Sequence, residues 1–88
     1  MRTKIYHKLN NFFNPSILEV INESEQHSGH LQSPKTGSSH FFVKISSTQL
    51  DNLSRLEGQR LIFKILKQEM SKEIHALRIK IIYNNYPP

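Results

Sequence analysis

With 88 residues the chain forms one small domain and has no room for a Rossmann domain, a kinase or a barrel enzyme. Twelve Lys and Arg against seven Asp and Glu leave a formal charge of +5 and a pI near 9.8. There is no cysteine, which excludes disulfides, a thiol nucleophile and a Cys-based zinc ribbon. Any metal or cluster must therefore be held by His, by carboxylates or by groups that a partner supplies. Apolar residues are only 36% of the chain, but they are bunched into segments, which argues for a small folded core. No apolar run has the length of a membrane span or a signal peptide, so the expectation is a soluble intracellular protein.

Ile5, Leu9, Phe12 and Phe13 follow the i, i+4, i+7, i+8 stripe of an amphipathic helix. Asn14-Pro15 ends it, because a residue before proline is pushed out of the helical region. Ser16 to Ile21 is short, apolar and partly β-branched, and reads as a strand. Asn22 to Ser39 is polar, holds Gly29, Pro34 and Gly37, and reads as a long loop. A second strand is expected over His40–Ser46, with Phe41, Val43 and Ile45 on one face. Thr48 to Leu53 suits a short helical turn.

Ser54-Arg55-Leu56-Glu57 fits a capping box. Behind it Leu61, Ile62, Ile65, Leu66 and Met70 trace the stripe of a helix running to about Lys72. The last strand, Ile74 to Ile82, alternates His75, Leu77, Ile79 and Ile81 against Ala76, Arg78 and Lys80. The order is α-β-β-α-α-β, an α+β fold in which a three-stranded sheet carries its helices on one face. A single domain over 1–82 is expected, with a flexible tail over 83–88. The charge is uneven: residues 1–14 carry +3, 15–54 carry −2 and 55–88 carry +4.

Of the five histidines, His7 sits on the first helix as a surface residue, and an outward or edge position is expected for His40 at the start of its strand. His27-x-x-His30 has a spacing that can chelate a metal, but a zinc site needs three or four ligands; polar residues filling a loop are the simpler reading. His75 shares parity with Leu77, Ile79 and Ile81, so it stands at the rim of an apolar face. There it is either a hydrogen-bonded rim residue or a ligand oriented by the strand. No Ser–His–Asp order, paired carboxylates or phosphate-cradling glycine loop is present, so catalysis is not expected.

Several segments together resemble the BolA family. They are Lys8-Leu9 with Phe13-x-Pro15, Leu18-Glu19-Val20-x-Asn22-Glu23-Ser24-x-x-His27, Ser39-His40-Phe41-x-Val43-x-Ile45-x-Ser47, and Ile74-His75-Ala76-Leu77. They span nearly the whole chain at family spacing, and the helix–strand order matches the family's class II KH-like topology. The resemblance implies a non-catalytic adaptor in iron–sulfur biology. Such a protein binds a monothiol glutaredoxin and shares a [2Fe–2S] cluster with it and with glutathione, in cluster assembly, trafficking or iron regulation. The family's ligand in the last strand falls on His75 and its loop ligand on His27, with His30 as a possible substitute. No cofactor is expected to stay bound to the isolated chain, which would be a monomer or weak homodimer. A bacterial cytoplasm is the first expectation for its location and a mitochondrion the alternative.

One departure stands out. The family often carries Arg-His-Arg at the start of the main helix, where this chain has Gly58, Gln59 and Arg60. That bears on the rival reading, a DNA-binding regulator of the stress-response type using Arg60, Lys64, Lys67, Arg78 and Lys80. The KH class clamps a nucleic-acid backbone with Gly-x-x-Gly, and Gly29, Gly37 and Gly58 are never three apart. A third reading, a carrier of zinc or copper, needs the His27–His30 loop to bind metal without a partner.

Overall fold

The computed structural model describes residues 1–23 and 40–84. They form α1 (Arg2–Phe13), β1 (Ile17–Asn22), β2 (His40–Ser46), α2 (Thr48–Asp51), α3 (Arg55–Ile65), α4 (Lys67–Lys72) and β3 (Ala76–Ile81). The sheet order is β1-β2-β3, with β1 and β2 antiparallel and β2 and β3 parallel. The expected α-β-β-α-α-β architecture is therefore present, with the second helical region split in two.

Alternation fixes which face of the sheet is buried. Val20, Phe41, Val43, Ile45 and Ile81 point inward, against Ile5, Leu9 and Phe13 of α1, Leu50 of α2, and Ile62 and Leu66 of the α3–α4 region. The α1 stripe is thus i, i+4, i+8; Phe12, expected in the core, is 47% exposed. Two adjacent residues lie about 100° apart on a helix, so only one of the two phenylalanines can face the sheet. The other sheet face, with Ile17, Ile21, Phe42, Lys44, Arg78 and Lys80, has no described helix over it.

α1 stops at Asn14, whose φ of 46° lies in the left-handed region that asparagine tolerates better than other side chains. Ser47 then ties three elements together. Its hydroxyl donates to Phe13 O at 3.0 Å and accepts from Gln49 N, capping α2. The Ser54–Glu57 capping box forms as expected, with bonds of 2.9 and 3.1 Å. The expected continuous helix to Lys72 is instead interrupted at Leu66 (φ −95°, ψ 17°), although Leu66 remains fully buried.

The first strand is displaced by one residue from the expected span. The last begins at Ala76, so Ile74 and His75 precede it. Of the expected flexible tail, Tyr83 and Asn84 are tied down. Tyr83 Oη donates to Leu53 O at 3.0 Å, Asn84 N to Asp51 Oδ1 at 3.1 Å, and Asn84 Nδ2 to Ser46 Oγ at 2.7 Å. The remainder, 85–88, lies outside the described residues.

Gly58 is buried on the inner side of α3. A Cβ there would stand 2.6 Å from Ile81 Cδ1 and 3.3 Å from Leu50 Cδ2, so the glycine lets α3 approach β3 and α2. Gly58→Ala gains about 1 kcal/mol of helix propensity but overpacks this contact at a cost of about 1–3 kcal/mol. The expected result is a net loss of up to about 2 kcal/mol in thermal or urea unfolding. A variant more stable than the parent would show that the Ile81 methyl gives way freely.

Candidate functional site

Three strand ends meet at one end of the sheet. Because β2 and β3 are parallel, both begin there, and antiparallel β1 finishes there. His75 belongs to this end. Ile74 before it is 3% exposed and sits in the core, and Ile74 N donates to Glu69 O at 2.9 Å as α4 closes. Ala76 after it pairs with His40 at the start of the β2–β3 ladder. A buried anchor on one side and a strand on the other thus leave the His75 imidazole exposed to solvent.

His40 is half-buried at the first position of β2. Its ring centroid lies 6.4 Å from that of His75, edge to face. The register that makes these two imidazoles neighbours is a long-range property, and sequence reading did not join them. Residues 24–39 leave β1 and enter β2 at this same end, and Glu23 N donates to His40 O at 2.8 Å where they do so. His27 and His30 lie in that segment, outside the described residues.

Among the described residues no group of three or more His, Cys, Asp or Glu is arranged to hold a metal ion. Among the described residues, the metal-binding chemistry of this end is thus one or two imidazoles. These are neutral ligands when deprotonated, too few to complete a tetrahedral site and suited to filling positions in a site that another molecule completes.

Glu23, part of the Asn-Glu-Ser element, has a role the sequence did not disclose. Its carboxylate accepts two bonds from Arg78, Nη2 to Oε2 at 2.6 Å and Nε to Oε1 at 3.0 Å. The Arg78 guanidinium also lies 4.6 Å from the Phe42 ring centroid. The hydrogen bonds that Arg78 donates to Glu23, and then the charge of that carboxylate, hold Arg78 above its ordinary pKa. The motif glutamate thus reaches from the end of β1 across β2 to β3, and the arginine serves that bridge.

The five cations considered for nucleic acid do not form one surface. Arg60 and Lys64 are on α3 and Lys67 begins α4, all exposed on the helical layer. Arg78 and Lys80 project from the opposite face of the sheet, in register with Phe42 and Lys44. Arg78 is further committed to Glu23. The structure therefore separates a helical group, Arg60, Lys64 and Lys67, from the sheet pair.

Comparison with known proteins agrees with this architecture. The family model described as BolA-like protein matches residues 9–85. The chain is 38% identical over 72 residues to the DNA-binding transcriptional regulator BolA of Vibrio cholerae, covering 82% of this chain and 64% of that protein. Among solved structures, BolA1 from Arabidopsis thaliana superposes with a TM-score of 0.84 at 27% identity, covering 100% of this chain and 96% of its own. The BolA domain of SufE1 from the same plant gives 0.82 at 32% identity, over 94% of this chain and 91% of that one. With most of its length matched by the family model and its whole fold shared with these structures, the chain belongs to the BolA-like protein family.

Proposed function

We propose that the chain is a non-catalytic adaptor that binds a monothiol glutaredoxin and shares a glutathione-dependent [2Fe–2S] cluster with it, in cluster assembly, trafficking or iron regulation. The observation that carries this reading is the exposed His75 at the end of the sheet from which the chain bearing His27 departs and to which it returns. A cysteine-free chain can give such a cluster nitrogen and no thiolate, and the small number of imidazoles here suits a cluster completed by a partner's sulfur. His75 would be the principal ligand, held in place by the Ile74 anchor. His27 would be the second, with His30 as its substitute. His40 is a further candidate, on its 6.4 Å ring separation from His75. Held there, such a cluster would supply redox chemistry at a potential raised by nitrogen in place of thiolate. A soluble, cytoplasmic protein accords with this role; no described helix is long and apolar enough to cross a membrane.

The test is visible circular dichroism of the chain mixed with a cluster-loaded monothiol glutaredoxin and glutathione. The expected result is a new spectrum saturating at one-to-one stoichiometry, lost in His75→Ala while far-ultraviolet dichroism stays native. His27→Ala should change the cluster spectrum more than it changes affinity for the cluster-free glutaredoxin. An unchanged spectrum on mixing sinks the cluster role, and silence of both substitutions overturns the ligand assignment.

A DNA-binding regulator is the second reading, favoured by the charge of +5, by the exposed Arg60, Lys64 and Lys67, and by what the Vibrio relative is called. Polyanion attachment by charge alone falls steeply with salt, so only binding that discriminates between sequences at physiological ionic strength would support it.

A further inference from the structure

We propose that the groove along the free edge of β3 accepts an extended acidic segment of a partner protein as a fourth strand of the sheet. Among the described residues β3 pairs only with β2, on one side. Ile82 N donates to Ile45 O across that ladder at 2.8 Å, so by strand alternation the N–H and C=O groups of residues 76, 78 and 80 also face β2. Those of Leu77, Ile79 and Ile81 face outward, and no described group bonds to them. An unpaired edge of this kind is a template for strand addition.

The edge is not bare surface. Arg55 and Gln59 of α3 stand along it, and with Arg78, Ile79, Lys80 and Ile81 of β3 and Phe42 of β2 on the outer sheet face they line a groove of about 500 Å3. Arg55 and Lys80 are exposed and make no ion pair among the described residues. The groove therefore offers a backbone ladder and the half-buried Phe42 and Ile79 side chains, flanked by two cations that no described acid engages.

These features decide between occupants. An added strand satisfies both the outward N–H and the outward C=O groups, whereas a phosphodiester backbone has no donor for the carbonyls. A second copy joined edge to edge would bring the Arg78 and Lys80 side chains of both copies together, in a protein already at +5. A peptide alternating carboxylates with apolar residues meets the ladder, the apolar positions and the cations at once. This inference does not depend on the histidines, and its test involves no cluster.

The test is titration of the nitrogen-15-labelled full chain with a blocked seven-residue peptide alternating glutamate and valine. The expected result is saturable shifts and slowed hydrogen exchange at Leu77, Ile79 and Ile81. The same peptide methylated on alternate backbone nitrogens should bind at least about ten-fold more weakly, since it cannot complete the ladder. Arg55→Glu with Lys80→Glu, both exposed positions, should weaken the unmethylated peptide by about ten-fold. Three results overturn the proposal. Shifts at these amides with oligo-deoxythymidine and none with the peptide make the groove a nucleic-acid site. Shifts that grow with protein concentration alone assign the edge to a second copy. No perturbation at millimolar peptide leaves Lys80 and Arg78 as guards against edge-to-edge aggregation.

Discussion

Leu66→Ala is expected to remove about 2–5 kcal/mol of stability, from a domain whose total is roughly 4–13 kcal/mol at this length. Leu66 is fully buried and forms the junction between α3 and α4. Its backbone stays bonded on both sides, Leu66 N to Ile62 O at 3.0 Å and Met70 N to Leu66 O at 2.8 Å. Flanking helices so tethered cannot easily close over the lost isobutyl group, and unrelaxed cavities are the costly ones. Leu56→Ala is the control. Leu56 lies on α3 as well, but is 57% exposed, so its loss should change stability by less than about 0.5 kcal/mol. Urea unfolding followed by circular dichroism should show a shifted midpoint with unchanged slope for the first and no shift for the second. A Leu66→Ala loss below about 1 kcal/mol would show that the junction collapses onto the cavity.

The same junction shows why part of the fold could be read from sequence and part could not. β2 matches its expected bounds, because strict alternation through Phe41, Val43 and Ile45 coincides with its burial pattern. The capping box was legible because its two bonds depend on residues three apart. The break at Leu66 leaves no such mark. The residues on either side continue one apolar stripe, and periodicity reports a shared face without reporting a change of axis.

The candidate site divides in the same way. His75 stood out because the strand pattern places it beside Leu77, but its neighbour His40 is brought there by the parallel register of two strands separated by three helices. Glu23 and Arg78 are 55 residues apart, and nothing local pairs them. Read from composition, Arg78 is one more cation for a polyanion; in the fold it is engaged with Glu23 and stacked on Phe42.

Lys8→Met is the second substitution with a large expected effect, because it strands a buried charge that no local pattern in the chain marks. Glu69 in α4 is 1% exposed, and Lys8 of α1, 61 residues away, reaches it. Lys8 Nζ donates to Oε1 at 3.0 Å. Oε2 receives no aligned hydrogen bond and is held by charge, with Lys8 Nζ at 2.8 Å and Lys4 Nζ at 3.7 Å. Burial pushes the Glu69 pKa up, but the Lys8 hydrogen bond, the residue's own backbone and the charges of Lys8 and Lys4 together outweigh it, and the net direction is down. A carboxyl whose pKa is lowered on folding contributes stability above its unfolded value, about 4.3, and that contribution is lost as pH falls through the folded value. In Lys8→Met only Lys4, itself 56% exposed, remains near a buried carboxylate, and burial then dominates. The expected loss at neutral pH is about 1–3 kcal/mol, below the range for a fully buried pair because Lys8 is 34% exposed. The sign of the pH dependence is the sharper test. Acid protonates Glu69 and removes the need for a partner, so the gap between Lys8→Met and the parent should begin to narrow as pH falls through the variant's raised Glu69 pKa and close at the parent's lowered one. Glu69→Gln should flatten the parent's acid limb between the unfolded value, about 4.3, and that lowered one. A gap of constant size would assign the loss to the packing of the Lys8 stem instead of to its charge.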